Sequence, residues 1–378
     1  MKSRYLQTLI TTTIVSSFVI WSNISQAQIK PDSTLQKNTR IRLEENIKII
    51  EGGTRAGGNL FHSMQHFSVP SGITAYFNNP LDIQNIITRI TGNSISNIDG
   101  LIRTNGISNL FLMNPNGIIF GENARLNIGG SFVATTATNI NFADGSQFST
   151  INPTSKQILT VNIPIGLSFS GNNGAINIKN TGHNLKNEDF RFPLNSNRFS
   201  NGLQVNLSKN LAFIGGEIVL DGGIISTNTG KIELGSVDTG EVNINLEKNN
   251  FIFQYDNVVN FQNIKFLQNS LAYVSSLEGE GNTINIQGKK IQISDGSLVF
   301  SQNHGSKQDG KISINATEIL TVKGASPFGI SGIYTSNFGK TPGENIEINS
   351  KQVDIEGAQI AANNFSNFSS GNIVINPT

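Results

Sequence analysis

Two histidines, His62 and His66, stand four residues apart in the segment FHSMQHF. On a helix that spacing puts both imidazoles on one face, where they could hold a metal as in HExxH sites. The flanking residues read as a strand, which sets the two Cβ atoms roughly 13 Å apart, too far for a shared ion. His183 and His304 lie in polar stretches without neighbouring ligands and are expected in solvent. The carboxylates offer little more. Asp99 precedes Gly100 and Asp144 precedes Gly145, so both suit turns, as does Glu122 after Phe120-Gly121. Glu278 and Glu280 flank Gly279 in a loop. A glycosidase needs two carboxyls about 5–10 Å apart, and no local pair supplies them, although a coiled fold can assemble a site from distant residues. The patterns GxSxG, GxGxxG, the Walker sequence and the calcium nonapeptide are all missing. No catalytic residue, metal ligand or cofactor is assigned on these grounds.

A different constellation stands at Asn114, Pro115, Asn116, Gly117 and Ile118, between the apolar runs LFLM and IIF. Pro115 presets the φ of a turn, and Asn116-Gly117 readily accepts the positive φ of a tight reversal. These residues predict a corner between two strands. Strands dominate the rest. Apolar residues alternate in Ile176/Ile178, Leu203/Val205/Leu207, Ile218/Leu220, Ile232/Leu234 and Val242/Ile244/Leu246, with Gly, Asn, Asp and Ser between the runs.

A repeat emerges in the last hundred residues. Gly281, Gly310, Gly343 and Gly371 open units spaced 29, 33 and 28 residues apart. Each complete unit holds an Ile-x-Ile pair (Ile284/Ile286, Ile312/Ile314, Ile346/Ile348), a second apolar pair ending at a glycine, and a third short strand. The last unit stops after its first strand, Ile373-Val374-Ile375. Three short strands per unit without a helix suit a parallel β-helix, with Ile284, Ile312, Ile346 and Ile373 stacked on one inner face. Asparagines at recurrent turn positions are expected to form amide ladders between coils. Units of this length throughout would give at most ~12 coils, a rod of roughly 55 Å. An antiparallel sandwich or barrel also has short alternating strands, but the three-strand unit favours the helix. Residues 171–378 are expected to be parallel throughout, residues 183–200 to leave the coil, and Ser336 to sit at a polar loop edge.

Residues 1–27 read as a secretory signal peptide, with Lys2 and Arg4 before an apolar run and Ser25-Gln26-Ala27 at the cleavage site. Nothing after it is apolar enough to span a membrane. Lys and Arg number 27 against 26 Asp and Glu, which gives no electrostatic case for nucleic acid or an anionic membrane. Cysteine is absent, so no disulfide staples the exported chain.

The stretch LFLMNPNGIIFGENARLNIGGSFVATTA resembles the secretion domain of filamentous-haemagglutinin-like exoproteins of bacterial two-partner secretion. Segments upstream are similar as well: FNN at 77–79, R.TG at Arg89, Thr91 and Gly92, and IDG at 98–100. A looser likeness continues through GLQV, GGEIVLDGG and GKIELGSV, as in cyanobacterial members. A second family motif, NPNL, is represented only by Asn79-Pro80-Leu81. The resemblance implies an all-β protein, a right-handed parallel β-helix with an N-terminal β cap. It divides the chain into a signal peptide (1–27), a two-partner secretion domain (28–170) and a β-helical continuation (171–378). It further implies a non-enzymatic protein secreted to the surface of a Gram-negative-type bacterium. The partner would be an outer-membrane β-barrel transporter with periplasmic domains, whose recognition motif would be residues 114–118. Such a coil would serve as an adhesin for cell-surface glycans or other exoproteins. A polysaccharide-active β-helical enzyme and a passive surface-layer component are the alternatives.

Overall fold

Alternate residues of a strand point to opposite faces, so an Ile-x-Ile pair commits two side chains to one side. In the computed structural model that side is the interior of a parallel coil. The structure describes residues 29–154, 159–194, 196–247, 250–276, 282–306 and 310–377. Residues 1–27, read from the sequence as a signal peptide, Gly281 and the acids Glu278 and Glu280 lie outside them.

The coil has three faces. The first stacks Asn59–Phe67, Asn85–Ile90, Asn109–Met113, Phe132–Thr135, Asn210–Gly215 and the start of Lys231–Glu247, all in parallel. It continues through Thr283–Ser294, Lys311–Lys323, Asn345–Glu356 and Ile373–Asn376, again in parallel. That makes ten coils, fewer than the upper estimate from repeat length, because long insertions leave the coil between the early strands. Ile284 pairs with Ile312, Ile312 with Ile346 and Ile346 with Ile373, as the repeat predicts. The second face runs from Ser96–Ile98 through Ile118–Phe120, Ile176–Lys179, Ile218–Asp221 and Ile264–Leu267. In the last three units the first two faces share one strand, bent where the register shifts, as at Gly288/Lys290. The third face holds Ile47–Gly52, Thr74–Phe77, Leu101–Thr104 and Arg125–Asn127, then a second parallel stack from Leu203–Gln204 to Gln359–Asn364. The N-terminal end is capped: Ile29–Pro31 runs antiparallel to Asn59–Phe67, and Thr39–Glu44 folds back on Ile47–Gly52.

Among the described residues three asparagine ladders tie coils together, on the strands rather than at the turns that the sequence predicts. Asn85 donates to Asn59 at 3.0 Å and Asn109 to Asn85 at 2.9 Å. Asn303 donates to Asn337 and Asn337 to Asn364, while Asn376 donates to Asn349 and Asn349 to Asn315. A carboxamide can both donate and accept, so at the buried Asn59, Asn85, Asn303 and Asn337 stacking at the coil repeat satisfies groups that burial would otherwise strand.

Residues 171–378 are not parallel throughout. Lys231–Glu247 leaves the coil and forms an antiparallel hairpin with Asn250–Phe261. Pro164–Ser170, Asn139–Phe142 and Gln147–Ser149 extend this side sheet. It packs on the outer surface of the first face, where Phe61, Ile87, Phe111, Met113, Val133 and Ala212 meet Val242, Ile244, Phe251 and Phe253 in a second core. This explains the unbroken run LFLM. Leu110 and Leu112 fill the coil while Phe111 and Met113 fill the second core, so every position is apolar.

Residues 183–200 leave the coil as expected but fold back on it. Leu185, Phe190, Leu194 and Phe199 cover Tyr273, Phe300 and Tyr334 on the outside of the third face. Two expectations are overturned here. His183 is buried, its Nε2 lying 3.0 Å from the Gly296 carbonyl and its Nδ1 accepting from the Leu185 amide. Ser336 is buried in Gly332–Asn337, its hydroxyl donating to the Phe190 carbonyl at 3.0 Å. Ser336→Asp would set a carboxylate against that carbonyl, two acceptors face to face. Thermal melts are expected to show a loss of about 2 kcal/mol, and about 1 for Ser336→Ala; equal stability of the Asp variant would mean the segment does not pack there. His304 also departs from expectation, stacking on Phe338 with ring centroids 5.3 Å apart.

Candidate functional site

The five motif residues form a corner between the first and second faces, joining Asn109–Met113 to Ile118–Phe120. The Gly117 amide donates to the Asn114 carbonyl at 3.1 Å, closing a β-turn with Pro115 and Asn116 at its centre. Only Gly117 takes a positive φ, +120°; Asn116 does not, contrary to expectation. A Cβ on Gly117 would stand a tight 3.0 Å from the Ala175 carbonyl oxygen, which adds to the preference for glycine that the positive φ sets.

Asn114 is wholly buried and its carboxamide is spent inside the protein. Nδ2 donates to the Ser94 carbonyl and to Ser96 Oγ, while Oδ1 accepts from the Asn116 amide and from Asn116 Nδ2. Asn116 Nδ2 also donates to the Gly92 carbonyl at 2.7 Å. The Pro115 carbonyl accepts from Gly174, and Ile118 points into the coil between Ser96 and Ile176. The motif thus fixes residues 92–96 of the preceding coil. Only Pro115 and Asn116 are partly exposed.

Arg89 of the R.TG segment is structural. Its fully buried guanidinium donates to Ser63 Oγ, the Ser149 carbonyl and Thr34 Oγ1, and lies 4.2 Å above the Phe148 ring. It therefore joins the cap, the coil and the side sheet. Asp32, beside it, accepts from Thr91, Ser63 and Thr34. Burial pushes its carboxyl up, and the hydrogen bonds from Thr91, Ser63 and Thr34 outweigh that and hold it below the usual range.

His62 and His66 share the strand Asn59–Phe67 but have separate partners, Thr39 for His62 and Ser94 for His66. Burial lowers the His62 pKa to about 3. Asp99 accepts from Asn123 across a corner and Asp144 from Ser146 within its turn. Among the described residues no group of three or more His, Cys, Asp or Glu side chains could hold a metal ion.

Two buried acids escaped the sequence reading. Glu233 lies under the hairpin, accepting from Tyr255 Oη at 2.7 Å and Asn285 Nδ2 at 3.1 Å. Glu344 lies at a coil corner and accepts from Ser301 Oγ. Burial raises both to about 7. Alternation places Glu233 outward between Ile232 and Leu234; that the outer side is covered has no local signal.

No curated protein matches the chain significantly. Among solved structures, the crystal structure of the HMW1 secretion domain from Haemophilus influenzae is similar, with 15% sequence identity and a TM-score of 0.49. The match covers 92% of this chain and 100% of that one. The family model described as the TPS secretion domain matches residues 27–293, well over half the chain. With its capped parallel coil and its buried asparagine corner, this chain belongs to the TPS secretion domain family of two-partner secretion exoproteins.

Proposed function

We propose that this chain is a secreted surface adhesin of the type found in cyanobacteria, addressed to its outer-membrane transporter by residues 28–170 after removal of residues 1–27. Residues 171–378 continue the coil and present its long faces to cell-surface glycans or other exoproteins. Two-partner exoproteins are recognised by an outer-membrane transporter and cross the outer membrane of Gram-negative bacteria, and they are typically not enzymes. Recognition rests on the folded corner at Asn114, Pro115, Asn116, Gly117 and Ile118. The observation that carries this reading is the use of both asparagine side chains to hold the neighbouring coil.

The test is secretion. A chain carrying Asn116→Val and Gly117→Val, expressed with its signal peptide and its partner transporter, is expected to stay in the periplasm and be degraded. Valine removes the Asn116 bond to Gly92 and resists the φ of position 117. Wild-type amounts of the double variant in the medium would remove the motif from the export signal.

A further inference from the structure

Glu233 points outward from the first face, yet only 4% of it is exposed, because the strand Asn250–Phe261 lies over it. Two different elements hold its carboxyl. Tyr255 Oη on the covering strand donates to Oε1 at 2.7 Å, and Asn285 Nδ2 on the next coil donates to Oε2 at 3.1 Å. Ala212 and Asn285 flank it in the parallel register, and Tyr255 closes it from outside. Lys231, two residues along its own strand, is the one charged group among the described residues that acts on it, and Asp256 beside Tyr255 is exposed to solvent. Gly235 leaves the room that Tyr255 fills, since a Cβ there would collide with the Tyr255 hydroxyl.

The covering strand is a strap. Its ladder to Lys231–Glu247 shifts register three times, and Tyr255 stands inside one of the shifts, between the pairs Asn243–Gln254 and Glu241–Asn257. At that point the grip on the coil passes through the Tyr255 hydroxyl. The start of the strap is tied by Asn210 Nδ2, which donates to the Phe251 carbonyl at 2.6 Å, and its end by the Gln262 amide, which donates to the Ser236 carbonyl. Phe251 and Phe253 belong to the second core, with Phe251 and Phe111 ring centroids 5.1 Å apart, so lifting the strap uncovers apolar surface.

A carboxyl sealed in this way is far easier to keep neutral than charged. Burial raises Glu233 to about 7, against the pull of the Tyr255 and Asn285 hydrogen bonds and of Lys231. Burial and the neighbouring Glu233 push the Tyr255 hydroxyl well above its ordinary value, so it keeps its proton. Opening returns Glu233 to water and to its ordinary 4.5. The folded value is the higher one, so the strap is held fully below about 4.5 and progressively less as pH rises to about 7, where the loss levels off.

We propose that the strand Asn250–Phe261 is a pH-sensitive strap, latched over Glu233 by Tyr255 in mildly acidic solution and opening more readily in neutral and alkaline solution to bare the apolar outer face beneath it.

Amide hydrogen exchange, corrected for the intrinsic rate at each pH, reads the opening strand by strand. In the wild-type chain the opening of residues 251–261 is expected to become about seventyfold more favourable between pH 5 and pH 8.5, the ratio set by values of about 7 and 4.5. Glu233→Gln keeps the shape and cannot ionise, so it is expected to abolish that rise. Tyr255→Phe keeps the ring and removes the donor to the carboxylate, so the pH at which the rise levels off is expected to move up. No rise in the wild type, a rise that survives Glu233→Gln, or an unmoved profile in Tyr255→Phe would overturn the latch. Strap amides that exchange no faster than those of Asn109–Met113 would overturn it too, because the strap would then open only with the whole coil.

Discussion

Ile346→Asp is expected to cost about 4 kcal/mol and to open the coil locally, because the lost methyl groups and the buried carboxyl add together. Ile346 is fully buried, stacked between Ile312 and Ile373 in the coil interior. Its inward neighbours are apolar, so the new carboxyl finds no donor and must be protonated or drag water in. Ile346→Val, which keeps the shape, is expected to cost about 1 kcal/mol. Denaturant melts give the loss, and hydrogen exchange shows whether it is confined to residues 332–376. A carboxylate tolerated there at under about 1 kcal/mol would mean that Ile346 does not face the core.

Stability should pass through a plateau in mildly acidic solution. Glu233 and Glu344 have folded pKa values of about 7 against an ordinary 4.5, both raised by burial. The folded state therefore holds their protons more tightly, and the stability they contribute below pH 4.5 is lost as pH rises toward 7. Each accounts for about 3 kcal/mol over that window. His62 and His183 act with the opposite sign. Burial lowers them from 6.5 to about 3 and about 4, so the unfolded chain takes up their protons first and stability falls as pH drops below 6.5. Between about 4.5 and 6.5 the two pairs offset one another; above that range the acids dominate, and below it the histidines. Glu344→Gln cannot ionise, so it is expected to stabilise the protein by about 3 kcal/mol at pH 8 and to change little at pH 4.5. Melts at the two pH values decide it: a variant destabilised equally at both would show that Glu344 is already ionised in the fold.

The amino-acid sequence by itself determined the coil. Ile284, Ile312, Ile346 and Ile373 could be aligned by counting, because strand alternation and a repeat near 30 residues are local properties of the chain. That asparagines stack between coils was legible, but which ones was not: the spacings within a ladder differ, 34 residues from Asn303 to Asn337 and 27 from Asn337 to Asn364, because the loops between strands differ in length. The turn at Asn114, Pro115, Asn116 and Gly117 was legible too, although its position marked the corner and its side-chain bonds did not. Only the tertiary structure decided what covers the outside of the coil. Alternation says which residues point outward and nothing about whether outward means solvent. Ser336 is buried by Phe190, 146 residues away, and His183 by Gly296, 113 residues away. Glu233 became a buried acid because the strand that carries it continues into a hairpin that folds back over it, bringing Tyr255 onto its carboxylate. Hydrophobic periodicity is fixed within a few residues, whereas the covering of an outer face depends on where distant apolar segments such as 183–200 find surface to bury.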